Sequence, residues 1–221
     1  MDKNEIARAF AEIPTGNISD AMDDLGMRRQ VITKLHPIDP ALPRMIGWAH
    51  TLCQHSRRPD TEEKYLVHQA DVVDQEAEPG EVIVYACAGR EDVCTGGSIL
   101  ALRAKMRGLA GFLVDGCFRD VDEIANLKFP VYLRGTSPVR SKCDILTYET
   151  QCPVEVCGVT IFPGDLIVSD PTGTVAIPAE LVEQVYKRSK EIFDNEAALE
   201  ASLRQGMSMR DFNEQQEKQG K

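Results

Sequence analysis

The stretch GGSILALRAKMRGLAGFLVDGCFRDVD, residues 96–122, decides how this chain is read. Ile99, Leu102 and Met106 recur at helical spacing, and Gly108 follows, so the spacing predicts a helix over 98–107. Residues 111–114 form a short apolar run of the kind buried in a sheet, and Asp115-Gly116 is expected to end that strand. Arg119 and Asp120 come next, ahead of a second helix start. Glycines opening a helix leave backbone N–H groups free for a carboxylate or a phosphate. An Arg-Asp pair at the end of the next strand supplies a fixed cation and a hard oxygen ligand for Mg2+ or Mn2+. The same residues also suit plainer roles, a turn before a helix and an ion pair at the surface.

Upstream, Pro79-Gly80 turns the chain into a strand over 81–88. A helix is expected over 60–75, with Tyr65, Leu66, Val72 and Val73 facing inward and His68 on the wetter face. Residues 45–53 read as a strand in which His50 is a satisfied sheet histidine rather than a ligand, since no Cys, His or carboxylate stands at metal spacing. Residues 27–44 hold Pro37, Pro40 and Pro43 and read as irregular. Two helices are expected before them, over 2–12 and 18–25, with Asn17 or Ser19 as N-cap and Gly26 as C-cap of the second.

Downstream, a helix over 121–127 is capped near Asp120, and a strand covers 130–134. Residues 154–159 and 160–162 read as a strand pair bent at Gly158. Residues 166–169 and 174–177 make a hairpin around Asp170-Pro171-Thr172-Gly173. Pro178 opens a long helix over 179–204, ended by Gly206, and the polar tail 214–221 is expected to fray. Helices alternate with strands in the first two-thirds and strand pairs follow, which says α/β with parallel and antiparallel strands in more than one sheet. No linker breaks the chain, so one domain is expected over 1–221.

Composition bounds the function. A net charge of −10 over 221 residues argues against a nucleic-acid surface, which needs a basic patch. One local arginine can still outweigh a distant negative surface for a small anion. Seven cysteines occur without C-x-x-C or zinc spacing, so reduced, mostly buried thiols and a cytoplasmic location are expected. The charged start, MDKNEIARAF, lacks a signal-peptide core. No apolar run approaches the ~20 residues that span a bilayer.

The run GGSILALRAKMRGLAGFLVDGCFRDVDEI is similar to the RraA-like superfamily. Within it, the chain resembles the class II 4-hydroxy-4-methyl-2-oxoglutarate aldolases, which also decarboxylate oxaloacetate. ISDAMDDLG (18–26), PGEVIVYACAG (79–89), PGDLIVSDPTGTVAIP (163–178) and the long C-terminal helix extend the resemblance over nearly the whole chain. It implies a compact β/β/α fold related to swivelling domains, with mixed sheets, assembled as a homotrimer or hexamer with its active site between subunits. The family's motif is an acid, twenty intervening residues, then Arg-Asp. Arg119 and Asp120 match it; counting back twenty residues lands on Ser98, so a serine stands where the family carries the acid that helps hold the ion's water. The non-catalytic branch, regulators of RNA-degrading machinery, tends to lack the Asp after the Arg, and this chain keeps it.

The resemblance implies a pyruvate-forming lyase acting on a small 2-oxo acid. It implies that Asp120 binds Mg2+ or Mn2+ and that Arg119 stabilises the developing enolate oxygen. The backbone at Gly97, Ser98, Ile99 and Leu100 receives the substrate carboxylate, and Ser98 hydrogen-bonds the ion's water more weakly than a carboxylate would. It also implies that Glu196, in the C-terminal helix, reaches a neighbouring subunit's site; a solvated helix-face carboxylate is the alternative. Asp115 is expected to cap the strand turn, and Cys117 has no His base to make it a nucleophile. Leu181, Val182, Val185, Ile192, Phe193 and Leu199 are more apolar positions than a lone surface helix needs, which places the helix 179–206 at a subunit interface. A catalytically weak protein that binds and regulates a protein partner is the rival reading.

Overall fold

A computed structural model describes residues 3–58, 60, 67–141 and 144–218. Its elements in chain order are α1 (Lys3–Ala9), α2 (Thr15–Asp24), β1 (Val31–Ile32), β2 (His36–Pro37), β3 (Met45–Ser56), α3 (Gln69–Asp71) running into a π turn (Val72–Glu76), and β4 (Glu81–Gly96). There follow α4 (Ser98–Met106), β5 (Gly111–Phe118), α5 (Val121–Asn126), β6 (Val131–Thr136), β7 (Ile145–Thr150), β8 (Val154–Val156) and β9 (Val159–Ile161). The chain closes with β10 (Leu166–Asp170), β11 (Gly173–Ile177), the long α6 (Val182–Arg204) and α7 (Met209–Lys218). Among the described residues no helix is long and apolar enough to cross a membrane.

The strands form a mixed sheet ordered β1-β11-β10-β3-β4-β5-β6-β2, with β7 on the far half of β3, and β8 and β9 pair separately. At its centre β3, β4, β5 and β6 run parallel, joined by helical crossovers, while β10, β11 and β7 are antiparallel. Every residue of β5 is buried, as expected of a parallel strand covered on both faces. Its side chains alternate. Phe112, Val114 and Phe118 face a core closed by α4, α5 and the π turn, with Tyr85, Phe118 and Phe129 edge-on to Phe112. Leu113 faces the opposite core, covered by the β8–β9 hairpin. A third core joins α1, α2 and α6 to Trp48 and the β10–β11 hairpin.

Several local expectations change. Asp115-Gly116 does not end β5, which continues to Phe118 through a register shift after Val114. Gly116 is there for space, since a Cβ would lie 3.0 Å from Arg90 O and 3.1 Å from Cys87 Cβ. β4 does not stop at Ala88; it bends at Ala88 and Gly89, both with positive φ, and resumes to Gly96 through three register shifts. Those bulges break the alternation by which a strand is read. α2 starts at Thr15, so Asn17 and Ser19 lie inside it rather than capping it. Of the helix expected over 60–75, Tyr65 and Leu66 lie outside the described residues, while Val67 bridges to Thr147 and regular helix begins only at Gln69. Two short strands, β1 and β2, lie in the stretch read as irregular. α7 runs through Glu214, where fraying was expected. His50 is buried as a sheet histidine, but it is only half satisfied: Nδ1 lies 3.0 Å from Glu81 Oε2, while Nε2 is buried without a hydrogen-bond partner among the described residues, 3.9 Å from Glu76 Oε2.

Candidate active site

β4 and β5 are parallel neighbours, so their C-terminal ends lie side by side. Phe118 pairs with Gly96, and Arg119 N donates to Gly96 O at 3.1 Å. The two motifs, twenty-odd residues apart in sequence, thereby meet at the carboxyl edge of the sheet, where open α/β sheets bind ligands. Gly96-Gly97 leads into α4 and Arg119-Asp120 leads into α5 around one cleft of about 570 Å3.

Both glycines are required by close approach. A Cβ on Gly96 would sit 2.5 Å from the Phe118 ring. A Cβ on Gly97 would sit 2.6 Å from Asp120 Oδ2 and 3.0 Å from Arg119 Cγ. Gly97 therefore makes the recess in which the Arg-Asp pair lies. Asp120 adopts the left-handed conformation, φ 57 and ψ 40, which Asp tolerates better than most residues and which costs about 1–2 kcal/mol. It turns the chain out of β5 and folds the carboxylate back toward α4. Asp120 Oδ2 accepts long hydrogen bonds from Ser98 N and Ser98 Oγ, each 3.4 Å, and lies 3.3 Å from Arg119 Nε. Arg119 stays 46% exposed and Asp120 35%, so both reach solvent in the cleft.

Gly97, Ile99, Leu100, Arg119 and Asp120 line the cleft, and Ser98 touches Asp120. The first-turn N–H groups of α4 have no partner within a helix, which makes its start a carboxylate receiver. Asp120 is the residue that could hold a hard divalent cation. Among the described residues no three His, Cys, Asp or Glu side chains gather to share one. A lone carboxylate beside a hydroxyl suits Mg2+, which keeps most of its waters.

Glu196 lies elsewhere in its own chain: its Oε2 accepts from Asn17 Nδ2 at 2.5 Å, which ties α6 to α2. Asp115 does not cap a turn. It is buried in mid-strand, paired with Arg134 Nε and in contact with Cys157 Sγ at 3.3 Å. The sequence reading missed three charged residues of the cleft, Asp74, Arg103 and Arg140. Arg103 pairs with Asp74, and Arg140 arrives where Cys94 N donates to Val139 O at 2.8 Å. Arg103, four residues past Ile99 on the same helical face, was findable by spacing; Arg140 sits in a loop with no periodicity. Buried Cys94 in the cleft wall has its thiol pushed up by burial, against the pull of Arg119.

The model of the RraA-like family, described as Aldolase/RraA, matches residues 15–176. A Halalkalibacterium halodurans protein provisionally named 4-hydroxy-4-methyl-2-oxoglutarate aldolase is 34% identical over 88% of this chain and 86% of its own. An uncharacterised Methanocaldococcus jannaschii protein is also 34% identical, over 56% of this chain, and the match spans 59% of that protein's length. Among solved structures, a Streptomyces coelicolor protein described as an unusual member of the RNase ES inhibitor RraA protein family superposes with a TM-score of 0.78. It shares 28% identity, over 90% of this chain and 96% of that one.

Proposed function

Since the chain belongs to the RraA-like family, Aldolase/RraA, we propose that the cleft is the site of a divalent-metal-dependent, pyruvate-forming lyase. Its substrates would be small anionic 2-oxo acids with a carboxyl or hydroxyalkyl group to lose, by decarboxylation of oxaloacetate or by retro-aldol cleavage. The observation that carries the reading is the meeting of the α4 N-terminus, Arg119 and Asp120 around one open cleft.

Both reactions leave the enolate of pyruvate, so the hard step is holding a developing oxyanion. Mg2+ or Mn2+ on Asp120 would supply a Lewis-acid charge beside the 2-oxo group. The N–H groups of Ile99 and Leu100 would receive the substrate's carboxylate and fix its plane. Arg119 would present a permanent, planar charge to the 2-oxo oxygen as electrons move onto it. Ser98 Oγ, already beside Asp120 Oδ2, would orient a water there for the proton that the enolate carbon takes. Glu196 would serve a site only from a neighbouring subunit, which fits action as a homotrimer or hexamer.

The test is oxaloacetate decarboxylation, followed by pyruvate formation, with and without EDTA. Turnover that EDTA abolishes and Mg2+ or Mn2+ restores is expected. EDTA-insensitive turnover, or none with either ion, overturns the proposal. A second reading, a binder that inhibits a ribonuclease, is favoured by serine in place of the family's acid and by the likeness to the Streptomyces coelicolor protein. Absent turnover together with dose-dependent inhibition of an endoribonuclease would establish it instead.

A further inference from the structure

A second cavity of about 560 Å3 lies on the β8–β9 side of the sheet, with Cys53 and His55 in its wall. Residues i and i+2 of a strand share a face. Cys53 and His55 of β3 do so, and His55 Nε2 stands 3.2 Å from Cys53 Sγ. Thr51, on the same face, holds a second cysteine in place. Its Oγ1 donates to Cys152 O at 2.6 Å, and Gln151 N donates back to Thr51 O at 2.9 Å. The turn at Gln151, φ 52, carries Cys152 to the face of Cys53, where both side chains pack against the core under the β8–β9 hairpin. Both thiols are half-buried and unbridged. Nothing in the proposed lyase chemistry uses this cluster.

We propose that Cys53 and Cys152 form a reversible, peroxide-driven disulfide, with His55 as the base that ionises Cys53 and Cys152 as the resolving thiol. The co-reactant is a hydroperoxide. His55 takes the Cys53 proton. The thiolate then attacks one peroxide oxygen, an S–O bond forms, the O–O bond breaks, and the departing alkoxide takes the proton back from His55. Cys152 next attacks the Cys53 sulfur; the S–S bond forms, the S–O bond breaks, and water leaves with the Cys152 proton. Two thiols lose two electrons in all, and the hydroperoxide is reduced to an alcohol and water. Burial pushes the Cys53 thiol up, and contact with Cys152 works against that, so the adjacent base has a task to perform.

The experiment treats the full-length protein with hydrogen peroxide, blocks the remaining thiols by alkylation and maps the linked peptides by mass spectrometry. A Cys53–Cys152 link that forms first and that dithiothreitol reverses is expected. Cys152→Ser should stop the reaction at a Cys53 sulfenic acid that dimedone traps, and His55→Leu should slow Cys53 oxidation about tenfold or more. Each variant's circular dichroism checks that the fold survives. Peroxide treatment that leaves the wild-type pair reduced, that links other cysteines first, or that proceeds at an unchanged rate in His55→Leu overturns the proposal.

Discussion

Asp120 and Ser98 meet through atoms that sequence spacing can only suggest are close. Asp120 Oδ2 is contacted by Ser98 N, Ser98 Oγ and Arg119 Nε, in a recess that Gly97 leaves open. Asp120→Ala removes the one carboxylate in that set and is expected to abolish metal-dependent turnover with the circular dichroism spectrum unchanged; activity retained at saturating Mg2+ would refute the assignment. Arg119→Lys replaces a rigid fork with a point charge. It should lower kcat for oxaloacetate at least about tenfold, a conservative share of the ~10²–10³-fold seen when one oxyanion donor is removed. Ser98→Asp makes the opposite change. A carboxylate at the start of a helix is favoured by the dipole, and it accepts hydrogen bonds from water about twice as strongly as a hydroxyl. We expect kcat to rise about tenfold, a modest part of what acid–base catalysis contributes, with Mg2+ affinity little changed. A fall in kcat would mean that the serine is not filling the acid's place.

At the scale of the element, α2 shows how a remote residue sets a boundary. Pro14 precedes it and gives no side-chain cap. Asp170, from the β10–β11 hairpin, caps it instead. Its carboxylate accepts from Thr15 N at 2.9 Å, Thr15 Oγ1 at 2.8 Å and Thr172 N at 2.8 Å, and Arg44 Nη2 lies 3.8 Å away. Burial alone would raise this acid; the hydrogen bonds and Arg44 outweigh burial and hold it below its ordinary range. The sign follows. An acid lowered in the folded state gives stability that is complete above its unfolded value of about 3.9 and that is lost as pH falls through the folded value. Asp170→Ala should therefore cost about 2–3 kcal/mol near neutral pH, the worth of hydrogen bonds to a charged group. The cost should shrink steadily below about pH 4. Urea unfolding midpoints of the two proteins across that range check this; a difference that does not change with pH would remove Asp170 from the account.

At the scale of the whole molecule, α6 docks by only part of its length. Val182 and Val185 are buried, and Leu181 and Ile192 are packed against the same core, while most of the helix beyond residue 193 is exposed. On α4, Ile99, Leu102 and Met106 form an exposed apolar row beside the cleft, 78%, 40% and 70% accessible. Apolar surface left open next to a functional cleft favours association. Light scattering at micromolar concentration is expected to give the mass of a trimer or hexamer, and Met106→Glu to lower it; a wild-type monomer would refute the assembly and leave Glu196 on Asn17. What the amino-acid sequence determined by itself is whatever local physics encodes. The helix of α4, the apolar run that opens β5, the β10–β11 hairpin and the Arg119-Asp120 pair beyond the strand all stand in periodicity, turn residues and adjacency. What only the tertiary structure decided depends on partners far along the chain. Asp115 meets Arg134 in mid-strand, β4 bends and resumes, Asp170 caps a helix 155 residues away, and Arg140 enters the cleft. A period tells which face of an element is apolar, but the burial of a charge and the start of a helix are settled by which remote group satisfies them.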